Sequence, residues 1–261
     1  MINKNALTKD DRWKIADKLA EDRLDSINLG LEDVSPSKTF YAQYGKRIID
    51  VVISVMALLV TLPFNLTLGI ITFFDLGTPI FFAQKRAGKD GKVFTLLKFR
   101  NMNNAVGANG ELLPPEERVT KIGRFVRKTS MDELLNFWSI LKGDMSVIGP
   151  RPLPPEYTHR YNKRHVHRLD VRPGLECPPR KRLTSILTWQ DQFDNDVWYV
   201  ENLSFATDLI MVKNLVVFAL DSKSAEARAL AKRGTFMGYS ADGVAINDSM
   251  IPEEYYKIIQ E

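Results

Sequence analysis

The chain has 261 residues and 44% hydrophobic content, enough for one or two domains with a buried core. Lys plus Arg number 36 and Asp plus Glu 32, a net charge of +4 that is no nucleic-acid signature and suits an anionic membrane surface or a phosphorylated ligand equally well. A single cysteine, Cys177, excludes an intramolecular disulfide, and polar opening residues predict no cleaved leader.

Residues 1–44 form a polar N-terminal extension with one amphipathic helix. Trp13, Ala16, Leu19 and Ala20 recur at helical spacing, and Leu24 and Ile27 continue the stripe. The opposite face mixes lysines with acids, so the helix is expected to pack on protein rather than lie on lipid. Ser35-Pro36 ends it.

Residues 45–75 hold a charge-free run, Val51 to Phe74. A helix this long, at about 1.5 Å per residue, reaches across a bilayer core of roughly 30 Å. Pro63 sits near its middle and is expected to kink or break the helix. Basic residues flank both ends: Lys46 and Arg47 before, Lys85, Arg86, Lys89 and Lys92 after. Cationic flanks tend to stay cytoplasmic, so this pattern suits a hairpin that dips in and returns. A kinked spanning helix is the alternative, since membrane helices tolerate proline.

Pro79 to Arg100 reads as a β-hairpin around AGKDG, with Arg86, Lys98 and Arg100 among its basic residues. Residues 103–118 read as a mobile loop. Lys121 to Lys142 is amphipathic, with Ser130-Met-Asp-Glu133 opening a helix that Gly143 stops. Basic turns follow at Gly149-Pro150-Arg151-Pro152 and Arg172-Pro173-Gly174. Residues 196–220 carry a helix-like pattern that Asp208 and Lys213 keep from spanning a membrane. The C-terminal tail, residues 222–261, is mixed and suggests no chemistry.

Asp132-Glu133 is the pair best suited to chemistry. Ser130-x-x-Glu133 is also a capping box, and acids in a first helical turn complement the helix dipole. The same position attracts phosphate. Asp132 would then serve as an ionised nucleophile, and Glu133 beside it as a ligand for Mg2+. Arg124, Arg127 and Lys128 precede the pair, and Arg151 and Arg172 follow it in stiff turns. Arginine grips phosphate with two donors. His165-x-His167 lacks cysteine or acidic partners at zinc-site spacing, and Cys177 before Pro178-Pro179 reads as a structural thiol.

Lys46-Arg47-x-x-Asp50 precedes the proline-interrupted run. Gly77-x-Pro79, Phe81-x-x-x-Lys85-Arg86-x-Gly88, Lys98-Phe99-Arg100-x-Met102 and Arg127 to Leu134 follow. Leu141 to Ser146, Gly149 to Pro152, Arg172-Pro173-Gly174 and Asp196 to Val200 complete the order. In these motifs the chain resembles the bacterial sugar transferases, the monotopic phosphoglycosyl transferases of glycan assembly. The resemblance covers roughly residues 45–220, with the catalytic part at 76–221. Thr61-Leu62-Pro63 stands where the family commonly has Ser-Pro, and residues 175–185, LECPPRKRLTS, depart from its usual glycine-containing run.

The resemblance implies an α+β, mostly helical fold. It combines a re-entrant helix-break-helix, a short β-hairpin, interfacial amphipathic helices and a cytoplasmic globular part. It implies transfer of a phosphosugar from a UDP-sugar to a polyprenol phosphate, releasing UMP, as the first membrane step of bacterial glycan assembly. Asp132 would be the covalent nucleophile, Asp132 and Glu133 the Mg2+ ligands, and Pro63 the membrane break. Arg100, Arg127 and Arg151, with Lys98 and Arg172, would bind the anionic substrate. The active site would face the cytoplasm from the bacterial inner membrane, with the phospholipid bilayer as partner, no nucleic acid, and a homodimer left open. Two rivals stand beside this: direct attack by the polyprenol phosphate, and a membrane-tethered adaptor that binds anionic lipid.

Overall fold

The computed structural model describes residues 7–107, 110, 112–180, 188–220 and 233–259. It divides into two compact units, one of Met1–Lys46, Ala87–Lys92 and Ile148–Glu261, the other of Arg47–Arg86 and Val93–Val147.

In the first unit, helix α1 (Lys9–Leu29) starts at Thr8, whose hydroxyl accepts from the Asp11 N–H at 3.1 Å while Asp11 reaches back. The stripe behaves as expected: Ile15, Ala16, Leu19 and Ala20 are buried, and Trp13, Leu24 and Ile27 pack at the edge of a core. The helix stops at Gly30, ahead of Ser35-Pro36. What covers the stripe is the C-terminal tail. Strands β5 (Phe236–Tyr239) and β6 (Ala245–Asn247) form an antiparallel hairpin with a register shift between Phe236 and Gly238. Met237, Ile246, Tyr255 and Tyr256 close on Ile15 and Leu19.

Two further helices, α6 (Trp189–Glu201) and α7 (Phe205–Leu220), replace the single expected pattern over 196–220. Asn202 to Ser204 separate them, with the Thr207 hydroxyl donating to the Asn202 carbonyl at 2.6 Å. Tyr157, Tyr161, Trp189, Phe193, Phe236 and Tyr239 build an aromatic core. Arg168, beneath that core, donates to Asp196 at 2.9 and 3.0 Å, to the Tyr161 hydroxyl and to the Arg151 carbonyl. Strand β4 (Gly174–Glu176) runs against Gly149, whose N–H donates to the Glu176 carbonyl. A Cβ at Gly149 would meet the Arg172 carbonyl at 2.6 Å, so this close backbone approach requires glycine.

The second unit is built around helix α2 (Lys46–Leu76), preceded by a π-helical turn at Tyr41–Gly45. Tyr41–Leu76 is long and apolar enough to cross a membrane, and only 11% of its most apolar window is buried, unlike a soluble core helix. Pro63 lies inside α2, which is helical on both sides of it. Proline removes one N–H from the ladder, which a helix survives when its other bonds persist. Around Pro63, the Thr67 hydroxyl donates to the Pro63 carbonyl at 2.8 Å, and the Asn65 amide donates to the Thr61 hydroxyl at 3.2 Å.

The predicted hairpin is present as β1 (Phe81–Ala87) and β2 (Val93–Phe99). Within residues 103–118, the stretch expected to be a loop, the described residues include some regular structure. Helix α3 (Pro115–Arg118) closes them, and antiparallel bridges join Met102 to Val119 and Val106 to Leu112. Lys121–Lys142 is two helices, α4 (Lys121–Lys128) and α5 (Asn136–Lys142), followed by the short strand β3 (Ser146–Ile148). Leu68 of α2, Phe99 of β2 and Val126 of α4 share a small core with Met131 and Leu135, which fixes the segment carrying Asp132. Of the sequence expectations, the far end of the altered 175–185 run and the tail before residue 233 lie outside the described residues.

Candidate active site

The turn between α4 and α5 carries the acidic pair, and its geometry removes the capping box. Ser130 sits in the left-handed region at φ 54° and caps nothing with its side chain. Met131–Glu133 forms a single 3-10 turn, and α5 begins only at Asn136. A non-glycine residue held at positive φ costs on the order of 1–3 kcal/mol and recurs at functional sites. Here it turns the chain so that Asp132 goes inward, 7% exposed.

Asp132 and Glu133 take different partners. Glu133 accepts from the Lys98 ammonium at 2.6 Å, an ion pair linking the turn to β2. Asp132 accepts from the Asn101 amide at 3.2 Å, and the Asn101 carbonyl oxygen accepts from Arg127 Nε at 3.0 Å. Burial holds the Asp132 carboxyl above the usual carboxylate value; the Lys98 charge pulls it down and Glu133 pushes it up. A cavity of about 490 Å³ opens beside it, lined among others by Lys98, Asn101, Arg118, Arg127 and Asp132. Its size suits a small organic ligand, and its cationic lining suits an anion.

Three of the expected basic residues therefore belong to this cavity: Lys98, Arg100 and Arg127. Arg100, however, spends its guanidinium on the carbonyls of Leu76 and Gly77 at the end of α2. Arg151 and Arg172 belong to the other unit, where Arg151 pairs with Glu176 at 3.3 Å. Arg118 lines the cavity but was not singled out in the sequence, because it stands in a polar stretch that reads as loop. The Arg-Val-Thr ending at the Thr120 N-cap was the available signal.

Among the described residues, no three His, Cys, Asp or Glu side chains cluster as a metal site. Two adjacent carboxylates nevertheless fit Mg2+, which often takes one or two protein oxygens and completes its shell with water and phosphate. The two histidines diverge. His165 is buried between the Tyr239 hydroxyl at 2.8 Å and Asp194, and His167 pairs with Asp170 at 2.6 Å. Cys177 is buried, its thiol pushed up first by burial, as a structural thiol would be.

Residues 41–221 match the family model described as bacterial sugar transferase, a span that holds the acidic turn, the cavity and α2. The chain belongs to the bacterial sugar transferase family. Membership makes it a transferase. It is 40% identical to an uncharacterized sugar transferase, EpsL, of Bacillus subtilis over 63% of this chain and 81% of that protein. It is 31% identical to the undecaprenyl-phosphate galactose phosphotransferase of Salmonella typhimurium over 66% of this chain and 39% of that one. Identity is 30% with a UDP-N-acetylgalactosamine-undecaprenyl-phosphate N-acetylgalactosaminephosphotransferase of Aeromonas hydrophila, over 73% of this chain and 46% of that one. The chain thus spans less than half the length of these last two relatives.

Proposed function

We propose that this sugar transferase moves a phosphosugar from a UDP-sugar to a polyprenol phosphate at the membrane, through a covalent phosphosugar on Asp132. The observation that carries the reading is the buried Asp132 beside Glu133, on the wall of a cation-lined cavity in the same unit as the apolar helix α2. Two relatives whose names give undecaprenyl phosphate as acceptor support the substrate class.

In the first step an Asp132 carboxylate oxygen attacks the phosphorus next to the sugar. The bond from that phosphorus to the bridging oxygen breaks, and UMP leaves with the electron pair. In the second step a phosphate oxygen of the polyprenol phosphate attacks the same phosphorus and displaces Asp132. Splitting the displacement in two lets one site serve two bulky substrates in turn. Lys98 and Arg127 offset the charge of the diphosphate. A magnesium ion held by Asp132 and Glu133 would supply further charge neutralisation.

On this reading α2 lies in the bacterial inner membrane with both ends on the cytoplasmic side. Cysteines placed near residues 44 and 90 should both react from that side only; reaction from opposite sides makes α2 a spanning helix. Asp132→Asn tests the chemistry. A carboxamide cannot form the intermediate, so UMP release should fall by orders of magnitude, and radiolabelled phosphosugar should no longer be trapped on the protein without acceptor. Near-normal UMP release would replace the covalent route with direct attack, and no UMP release from any UDP-sugar by the wild type would favour the adaptor.

A further inference from the structure

Arg118 lines the cavity with an enclosed Nε that has no hydrogen-bond partner among the described residues. It closes α3, and its backbone is pinned: its carbonyl accepts from the Asn103 N–H at 3.0 Å, and the next residue, Val119, bridges to Met102. The side chain is thereby delivered to the cavity wall that Asn103, Asn104 and Arg127 also line. Among the described residues its guanidinium also makes no ion pair. An enclosed, unpaired donor on an arginine is costly, so a site that keeps one fits an anionic ligand that completes it.

The neighbouring cations are engaged elsewhere. Lys98 is held by Glu133, Arg127 donates through Nε to Asn101, and Arg100 is turned to the carbonyls of Leu76 and Gly77. The first two act next to Asp132, where the phosphorus to be transferred must lie. A nucleoside diphosphosugar has a second phosphate, which departs with the nucleotide and develops charge as the bridging bond breaks.

We infer that Arg118 binds that departing, nucleotide-side phosphate, using its fork of donors. The inference rests on the proposed reaction, and it adds a residue whose role is leaving-group binding. Arg118→Gln should weaken binding of UDP to the full-length protein in lipid nanodiscs by about tenfold or more, the scale expected for one charge-assisted hydrogen-bonded pair. Arg118→Lys should fall between the two, since it keeps the charge and loses the fork. Lys121→Gln, which removes an exposed charge on α4 outside the cavity lining, should bind as the wild type does.

Calorimetric titration with UDP reads all four proteins, with the unfolding midpoint of each recorded alongside. UDP affinity equal in the wild type and in a folded Arg118→Gln or Arg118→Lys overturns the assignment of Arg118 while leaving the transferase reading intact. A wild type that binds no UDP overturns the assignment as well, and the transferase reading itself falls only if UMP release from every UDP-sugar is also absent. An equal loss in Lys121→Gln would make the effect one of net charge and would equally overturn it.

Discussion

Arg168 and Arg118 are both arginines drawn into protein, one in each unit, and the contrast between their surroundings separates scaffold from site. Arg168 is 2% exposed and each of its three nitrogens has a partner: a buried carboxylate, a tyrosine hydroxyl and a backbone carbonyl accept from it, and Gln192 donates to the far oxygen of the same Asp196. Around Arg118 and Asp132 the polar groups are held in place but incompletely used. Among the described residues the enclosed Nε atoms of Arg100 and Arg118 have no hydrogen-bond partner, and burial raises the Asp132 carboxyl. A complete polar network rigidifies a fold, whereas an incomplete one beside a cavity is a place for a ligand.

The contrast can be broken most forcefully at Arg168. Arg168→Met strands the Asp196 carboxylate, which is fully buried, and should cost about 3–5 kcal/mol in chemical unfolding. A loss confined to activity, with stability unchanged, would erase the distinction between the units. Arg47→Met comes next. It deletes two hydrogen bonds to the Ile140 and Leu141 carbonyls, at 2.6 and 2.8 Å, and should cost roughly 1.5–3 kcal/mol. Thr188→Ala removes the N-cap of α6, which accepts from the Asp191 N–H at 3.1 Å, and should lower stability by about 1 kcal/mol without changing UDP affinity.

The last effect is absent at neutral pH. Burial pushes the Tyr161 hydroxyl up to about 12 from an ordinary 10.0. The unfolded chain therefore releases this proton first as pH rises. The stability that Tyr161 contributes is whole below pH 10 and is lost between 10 and about 12. Tyr161→Phe should flatten the unfolding curve across that window; an unchanged slope would show that another group titrates there.

Local patterns were legible where one element satisfies itself. The α1 stripe, the glycine-bracketed hairpin and the apolar run of α2 all appear where periodicity and turn chemistry put them. Misreadings arose where tertiary contacts overrode a local motif. Ser130 and Glu133 have the spacing of a capping box, yet Glu133 is taken by Lys98, 35 positions earlier in the chain, and Ser130 is left-handed. The acidic pair stands out in the sequence because Asp132 and Glu133 are consecutive residues. The resemblance implies Arg100 as an anion ligand; that its guanidinium also donates to the carbonyls at the end of α2 is visible only once the helix is folded. The tail gave no signal because β5 and β6 are short and find their partner in α1, more than 200 residues away.

Helix α2 is fastened at both ends within its unit. Arg47 holds the last carbonyls of α5, and Asp50 accepts from the Ser146 hydroxyl and the Val147 N–H near its start. Asp75 takes the Thr120 hydroxyl at 2.6 Å near its end, beside Arg100 on Leu76. With α2 in lipid, such a frame turns helix tilt into a control on the height of Asp132. Bilayer thickness then becomes a tuning knob for catalysis. Turnover in vesicles of graded acyl-chain length should pass through an optimum, and that optimum should flatten once Arg47→Met frees one end of the lever.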